Sequence, residues 1–187
     1  MKEIYFITSN KGKVAEAKKK FSEIGVEVVQ KNLGYPEIQT ADLEDVALFG
    51  AEHVLKKFDR PFILEDAGLF IDELEGFPGV YSAYVFHTVG CKGILQLMKK
   101  VDSKNRGATF RSVYAYAKPG DKPKLFVGEC SGDISFEEKG DNGFGYDPIF
   151  IPKNSEKTFA EMNIDEKNVL SHRGKSLDKL LDFFKNL

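Results

Sequence analysis

Short runs of apolar residues alternate along this chain with stretches in which apolar residues recur every three or four positions. Residues 4–8 form the first run and predict a buried strand. The helical spacing that follows is marked by Val14, Ala17, Phe21 and Ile24. Residues 26–29 predict another strand, so the chain opens with a strand, a turn, a helix and a second strand.

A second helix is predicted downstream, with Asp42 at its N-cap. Its apolar positions are Leu43, Val46, Ala47, Gly50 and Val54. Residues 61–64 then predict a strand that ends on Glu65-Asp66-Ala67-Gly68. The two carboxylates would therefore lie at the carboxyl end of a strand, where open α/β sheets keep their ligands.

The second half of the chain contains longer predicted strands. Residues 76–79 predict a loop, and residues 94–98 suit a helix. Residues 109–117 and 125–130 predict two strands joined as a hairpin across Pro119-Gly120-Asp121. Short strands between helices, together with longer hairpin strands, predict an α/β fold with a mixed β-sheet flanked by helices.

Length and composition bound the class of protein. The 187 residues fit one domain, residues 1–187, with or without a division into two lobes. No apolar stretch approaches the ~18 residues of a membrane span, and Met1-Lys2-Glu3-Ile4 does not match a secretory leader. Cys91 and Cys130 are isolated and predict buried, reduced thiols. We therefore expect a cytoplasmic protein without a membrane partner.

The net charge of −2 argues against a broad electrostatic grip on nucleic acid, so we expect no nucleic-acid partner. Any phosphate site must then be formed by a few residues that lie close together. The best candidate follows the first strand directly and consists of Thr8, Ser9, Asn10, Lys11, Gly12 and Lys13. A strand-to-helix turn exposes backbone N–H groups that, together with lysines, can hold an anion such as phosphate.

Gly174-Lys175-Ser176 matches the end of a Walker A loop but not the rest of that motif. The motif requires a glycine five residues before Gly174, where this chain has Val169. The residues that follow mark an amphipathic terminal helix. The P-loop interpretation is therefore rejected.

Glycines surround an aromatic residue in Gly143-Phe144-Gly145-Tyr146-Asp147-Pro148. Glycines let a chain approach a flat ligand, on which Phe144 or Tyr146 could stack. The same segment also suits a glycine-rich turn that enters a strand over residues 149–151. Taken alone, the segment favours the turn.

Three residues rich in hydrogen-bond donors lie near the end of the chain: Lys167, His172 and Arg173. On one continuous helix they would face different directions, since each residue advances about 100°. Ser171 offers a helix break, with His172 and Arg173 in the first turn of the last helix beside free N–H groups. These residues alone fit a ligand site and a helix cap with two surface cations equally well.

Taken together, these segments resemble the inosine/xanthosine triphosphate pyrophosphatase family, and the resemblance covers nearly the whole chain. It is carried, in the family's order, by Thr8-Ser9-Asn10-Lys11-Gly12-Lys13, Tyr35-Pro36-Glu37-Ile38-Gln39, Glu65-Asp66-Ala67-Gly68-Leu69, Phe77-Pro78-Gly79-Val80-Tyr81-Ser82, Phe144-Gly145-Tyr146-Asp147-Pro148, Thr158-Phe159-Ala160-Glu161-Met162, and Glu166-Lys167-Asn168 with Ser171-His172-Arg173.

The resemblance implies an enzyme that clears deaminated purine nucleotides. It would hydrolyse ITP, dITP and XTP between the α and β phosphorus atoms, releasing the nucleoside monophosphate and pyrophosphate with Mg²⁺ as cofactor. By the same resemblance Glu37 and Asp66 hold the metal, Asp66 is the general base, and Lys13 stabilises the leaving pyrophosphate. Carboxylate oxygens are the ligands that Mg²⁺ prefers.

The resemblance also assigns the substrate-binding residues. On the phosphate side they are Thr8, Ser9, Asn10, Lys11, Gly12 and Lys13. Toward the sugar and base they are Ala67, Phe144, Gly145, Tyr146, Asp147, Lys167, His172 and Arg173. Phe144 would stack on the base, while the donors would favour the 6-oxygen of inosine and xanthosine over the 6-amino group of adenine. Ala67 departs from the family, which usually has a hydroxyl residue there, so we expect altered affinity.

For the whole molecule we expect an elongated fold with two lobes and a central cleft, and the family usually forms homodimers. Residues 77–84 could supply part of such an interface, or could pack on the chain's own core. Two alternatives remain: a non-catalytic purine nucleotide-binding sensor, and a pyrophosphatase for modified pyrimidine triphosphates. Glu37, Asp66 and Lys13 stand at motif positions and favour the enzyme, while the Ser-His-Arg ending favours purines.

Overall fold

The computed structural model describes residues 3–36 and 38–186. The strands are β1 (Glu3–Ile7), β2 (Glu27–Lys31), β3 (Phe62–Ile71), β4 (Pro78–Gly79), β5 (Gly107–Ala117), β6 (Lys124–Ile134) and β7 (Phe150–Pro152). The α-helices are α1 (Lys11–Ser22), α2 (Leu43–Leu55), α3 (Ser82–Thr88), α4 (Gly90–Leu97), α5 (Ile164–Leu170) and α6 (His172–Lys185).

The strands form a mixed sheet in the order β2-β1-β3-β5-β6-β7, with β4 paired to β3. β1 runs parallel to β2 and β3, whereas β4 and β7 run antiparallel to β3 and β6. β5 and β6 are neighbours joined by a connection too short for a parallel crossover, so they form the predicted hairpin. The predicted mixed α/β fold is therefore confirmed.

The helix boundaries follow from local sequence signals. Asn10 caps α1, because its side chain accepts a hydrogen bond from the backbone N–H of Lys13. Asp42 precedes α2 as predicted, but its side chain makes no capping hydrogen bond. Ser171 has extended backbone angles between α5 and α6, so the predicted break in the last helical segment is confirmed.

The third strand was predicted over residues 61–64, ending on Glu65-Asp66-Ala67-Gly68, and this end is wrong, since β3 continues to Ile71. Gly68 allows β4 to lie close, because a Cβ there would clash with the backbone of Gly79. The parallel pairing with β1 begins at Tyr5 with Phe62, and β1 ends at Ile7. Glu65 and Asp66 therefore lie inside β3 but just beyond the carboxyl end of β1.

The chain divides into two compact units. Unit 1 takes its described residues from Met1–Asp66, Ser112–Gly128 and Arg173–Leu187, and unit 2 from Ala67–Arg111 and Glu129–His172. The core of unit 1 includes one cluster made of Ile4, Phe6, Val14, Ala17, Phe21, Val28, Ile63, Tyr114, Tyr116, Leu177, Leu180 and Leu181. The core of unit 2 consists of Leu69, Ile71, Val85, Cys91, Ile94, Met98, Ala108, Phe110, Cys130, Ile134, Tyr146, Ile149, Phe150, Phe159 and Met162. Each unit thus buries its own apolar surface, which is the main favourable contribution to its folding.

Cys91 and Cys130 are both buried, as predicted. Within residues 3–36 and 38–186, no helix combines the length and the apolarity that crossing a membrane requires.

Candidate active site

The turn between β1 and α1 is fixed by side chains within it. The backbone N–H of Asn10 donates to the Thr8 hydroxyl at 3.1 Å, and the backbone N–H of Lys13 donates to the Asn10 amide oxygen at 3.0 Å. The N–H groups of Lys11 and Gly12 lie in the first helical turn and have no intrahelical acceptor. The positive end of the helix dipole adds to these donors, so the turn is suited to a phosphate oxygen.

Lys13 extends from α1 to the β3 residue Glu65. Its ammonium nitrogen lies 2.6 Å from Glu65 Oε2 and donates to the Glu65 backbone carbonyl oxygen at 2.9 Å. The Lys13 side chain remains 18% exposed, whereas the Glu65 carboxylate is fully buried. Lys13 is therefore held at one point of the sheet while part of its surface stays accessible.

Glu65 accepts from two further groups within unit 1. Arg173 Nε lies 3.0 Å from its Oε1 oxygen, and the Ser112 hydroxyl donates to the same oxygen at 2.7 Å. Burial by itself raises the pKa of Glu65, but the charges of Arg173 and Lys13 and the hydrogen bonds from Lys13 and Ser112 lower it to about 2. Glu65 is therefore ionised at neutral pH despite its burial.

Arg173 is itself buried and binds a second carboxylate, since its Nη1 lies 2.7 Å from Glu16 Oε2. Burial lowers the pKa of Arg173, but Glu65 and Glu16 outweigh it and raise that pKa. Lys13, Arg173, Glu16 and Glu65 form two cations and two anions, so their charges balance. We call these four residues the buried ion cluster.

Asp66 lies on the opposite face of β3 from Glu65, because successive side chains of a strand alternate. It is half-buried, and the Tyr35 hydroxyl donates to its Oδ2 oxygen at 2.9 Å. The Tyr35 ring lies against Gly50 of α2, where a Cβ atom would stand 2.8 Å from a ring carbon. Gly50 and Tyr35 therefore fix one oxygen of the Asp66 carboxylate.

A half-buried aspartate fits a Mg²⁺ site, because Mg²⁺ keeps several waters and takes only one or two carboxylates from a protein. Glu65 does not fit such a role, since its carboxylate already binds Lys13, Arg173 and Ser112. Glu37, the other predicted ligand, lies outside the described residues. Among the described residues no group of three or more His, Cys, Asp or Glu is placed to hold a metal.

In unit 2 the structure brings together Phe144, Asp147 and Lys167, which were predicted to bind the base or sugar of the substrate. Asp147 Oδ2 accepts from the Phe144 backbone N–H at 2.7 Å and lies 2.6 Å from Lys167 Nζ. The Lys167 ammonium also lies 4.8 Å from the centre of the Phe144 ring, a cation–π distance. Gly143 makes this turn possible, since it has a φ of +75° and any Cβ there would clash with Asp147.

The remaining predicted residues have varied surroundings in unit 2. The His172 ring stacks on Phe110, with centroids 4.5 Å apart and planes 9° apart. Tyr146 belongs to the core, where its hydroxyl donates to the Ser82 carbonyl oxygen at 3.1 Å. Gly145 has a φ of +65°, and Ala67 is half-buried beside Asp66. Their roles toward substrate stay predictions.

Four residues that sequence reasoning did not assign to the site now join it: Glu16, Tyr35, Glu65 and Ser112. Glu65 carried a signal, because a carboxylate that continues an apolar strand needs a partner when buried. Glu16 carried none, since it lies off the apolar helix face marked by Val14, Ala17 and Phe21. Its partner Arg173 comes from the far end of the chain, which no local pattern shows.

Comparison with known proteins agrees with these features. Residues 4–183 match the model of the Ham1 family. A dITP/XTP pyrophosphatase of Pyrococcus horikoshii is 52% identical over 97% of this chain and 96% of its own length. That of Thermococcus kodakarensis is 50% identical over 96% of each chain.

Solved structures give the same result. A HAM1 protein from Coxiella burnetii has a TM-score of 0.85 at 29% identity, and the match covers 100% of both chains. The Staphylococcus aureus Ham1 protein has a TM-score of 0.82 at 30% identity, with 99% of each chain covered. The match of sequence and fold over nearly the full length means that this chain belongs to the Ham1 family.

Proposed function

We propose that this protein is a nucleoside triphosphate pyrophosphatase that hydrolyses ITP, dITP and XTP to the nucleoside monophosphate and pyrophosphate. The observation that carries the proposal is the near-full-length match to relatives named dITP/XTP pyrophosphatase, at 50% and 52% identity. Removing such nucleotides would cleanse the purine pool of deaminated bases.

The turn after β1 supports a phosphate-binding role. Thr8, Ser9 and Asn10 would bring backbone and side-chain donors to the phosphates, and Lys11 and Gly12 would add the N–H groups of the first turn. Lys13 would stabilise the negative charge that develops on the leaving pyrophosphate. Such electrostatic stabilisation is the main work that a protein does in this type of reaction.

Asp66 would serve as general base and, with Glu37, as a ligand of Mg²⁺. The bound metal would neutralise the phosphates so that water can attack the α-phosphorus. The Tyr35 hydroxyl donates to one Asp66 oxygen and would thereby hold the carboxylate in one orientation for accepting a proton from the attacking water. Proton transfer by a positioned carboxylate of this kind contributes roughly 10²–10⁴-fold to a rate.

The turn at residues 143–148 supports base recognition. Phe144 would stack on the purine, while Gly145, Tyr146 and Asp147 place the turn and Lys167 supplies a donor toward the base. His172 and Arg173 would add donors that favour a 6-oxo purine, because adenine presents a donor of its own at that position. Ala67 offers no hydroxyl, so the hydrogen bond usual at that position would come from backbone or water.

We also propose that the protein acts in the cytoplasm as a homodimer. The burial of the Cys91 and Cys130 thiols, which are the two cysteines of the sequence, supports a reducing compartment. Phe77, Tyr81 and Tyr84 are exposed aromatic residues, which are frequent in interfaces between subunits. Sedimentation at several protein concentrations tests the dimer.

The first experiment measures pyrophosphate release from ITP, XTP, GTP, ATP and a pyrimidine triphosphate, with magnesium and with chelator. We expect monophosphate and pyrophosphate chiefly from ITP and XTP, and only with metal. Binding of ITP without turnover would instead favour the sensor, and turnover of the pyrimidine would favour the second alternative. Asp66→Asn, assayed alongside, controls for a contaminating hydrolase.

A further inference from the structure

Glu65 joins two cations that the proposed function assigns to different parts of the substrate. Its Oε2 oxygen binds Lys13, and its Oε1 oxygen binds Arg173. Its backbone carbonyl oxygen accepts a second hydrogen bond from Lys13. The two oxygens of the Glu65 carboxylate therefore position one cation each.

Glu65 cannot meet the substrate directly, because its carboxylate has no exposed surface. Lys13 keeps 18% of its side chain exposed and can reach a ligand. Without a fixed partner the lysine side chain would move among many rotamers, since its four-carbon stem is flexible. The carboxylate therefore acts through Lys13 rather than on the substrate.

We propose that Glu65 is a positioning residue that holds Lys13 for the phosphates and Arg173 for base recognition. The proposal rests on the proposed function. Glu65 would couple phosphate binding to base recognition, because a shift of its carboxylate moves both cations at once. Glu65 is not a metal ligand in this scheme, since Asp66 faces the other side of β3.

The charges of the buried ion cluster predict which of the two roles suffers more when Glu65 loses its charge. Removing the Glu65 charge leaves Glu16 as the one anion for two cations in that cluster. Glu16 binds Arg173 Nη1, so Arg173 keeps this ion pair, whereas Lys13 loses its ion pair with the Glu65 carboxylate. We therefore expect the phosphate role to suffer more than base selectivity.

The test uses Glu65→Gln, which keeps the shape of the side chain and removes its charge. With ITP we expect kcat to fall about tenfold or more, with KM changing less, and the ITP:ATP ratio of kcat/KM to fall as well. Asp178→Asn is the matched control, because it likewise removes a carboxylate that pairs with a lysine of α1, in this case Lys20, which lies outside the site. Its kcat should stay within about threefold of the wild type.

A double-mutant cycle separates positioning from general damage. If Glu65 acts through Lys13, Glu65→Gln should cost far less in a Lys13→Ala background than in the wild type. Additive losses, or a folded Glu65→Gln protein with wild-type kcat and selectivity, would overturn the proposal. Circular dichroism checks the folding of each variant.

Should Glu65→Gln not fold, Glu65→Asp gives the answer. The shorter side chain keeps the charge but withdraws it from both cations, so a kcat loss of about tenfold supports positioning and a kcat within about threefold refutes it. Wild-type turnover of ITP is measured in the same series. An inactive wild type would refute the proposed function and this proposal together, whereas an active wild type with an equally active Glu65→Gln variant would refute only the role of Glu65.

Discussion

Glu65 and Asp66 are adjacent in β3 and have opposite surroundings. Glu65 is fully buried among cations, while Asp66 is half-buried and accepts one hydrogen bond from Tyr35. The alternation of a strand sends the two carboxylates to different faces. One carboxylate therefore holds its charge in the interior, while its neighbour stays partly exposed.

Asp66→Asn tests the chemical role at this position. An amide cannot accept the proton of an attacking water, so we expect kcat to fall by about 10²-fold or more with little change in folding. Pyrophosphate release from ITP, with thermal unfolding measured alongside, checks both. Wild-type activity in this variant would remove Asp66 from the mechanism.

Asp147→Asn tests base recognition in unit 2. The substitution keeps the acceptor for the Phe144 N–H but removes the charge that binds Lys167. We expect the ITP:ATP ratio of kcat/KM to fall about tenfold, because the donor of Lys167 is then no longer held in place. Asp141→Asn, at an exposed position just before the same turn, is the control and should leave the ratio unchanged. A loss that is equal for ITP and ATP would contradict a role in base selectivity.

At the scale of elements, α2 positions Asp66 through Tyr35. Gly50→Ala places a Cβ atom 2.8 Å from a ring carbon of Tyr35, so the ring must move and its hydroxyl must leave Asp66. Alanine also favours the helix by about 1 kcal/mol relative to glycine. We therefore expect kcat to fall by about three- to tenfold while helix stability is preserved.

Tyr35→Phe is the matched variant, since it removes the hydroxyl and keeps the ring. The two substitutions should lower kcat to a similar extent. Steady-state kinetics and urea unfolding of both proteins make the comparison. Normal turnover in either variant would show that Asp66 does not need this hydrogen bond.

Elements were more predictable from sequence than the contacts between distant residues. The opening strand-helix-strand unit, the hairpin and the break at Ser171 follow from hydrophobic spacing and turn residues, which are local. The end of β3 was misplaced because Glu65-Asp66 interrupts its apolar pattern, while its continuation depends on Gly68 and on pairing with β4. The ion pair of Glu16 with Arg173 depends on tertiary folding alone.

At the scale of the whole molecule, the buried ion cluster makes the free energy of unfolding decrease at acid pH. Glu65 has a folded-state pKa lowered from 4.5 to about 2, so it binds protons less readily in the folded than in the unfolded chain. Its contribution to stability is complete above pH 4.5 and is lost as the pH falls toward 2. The difference in unfolding free energy between wild type and Glu65→Gln should therefore shrink through this range.

Urea unfolding at a series of pH values, in chelator so that no metal contributes, measures this difference. Glu156→Gln removes an exposed carboxylate and serves as the control, with a small difference from wild type at every pH. A wild-type to Glu65→Gln difference that stays constant between pH 4.5 and 2 would contradict the lowered pKa.

Because both thiols are buried in the core of unit 2, their reaction with an alkylating reagent reports the local opening of that unit. Cys91 and Cys130 are the two cysteines of the sequence, and both lie in the core of unit 2. Burial, followed by the charges of Glu138 and Asp147, raises the pKa of Cys91 to about 12, so its reactive thiolate is scarce in the folded state. Alkylation in native buffer therefore proceeds only when unit 2 opens, and its rate measures local unfolding there. Unit 1 contains no cysteine, so its opening does not contribute to this rate.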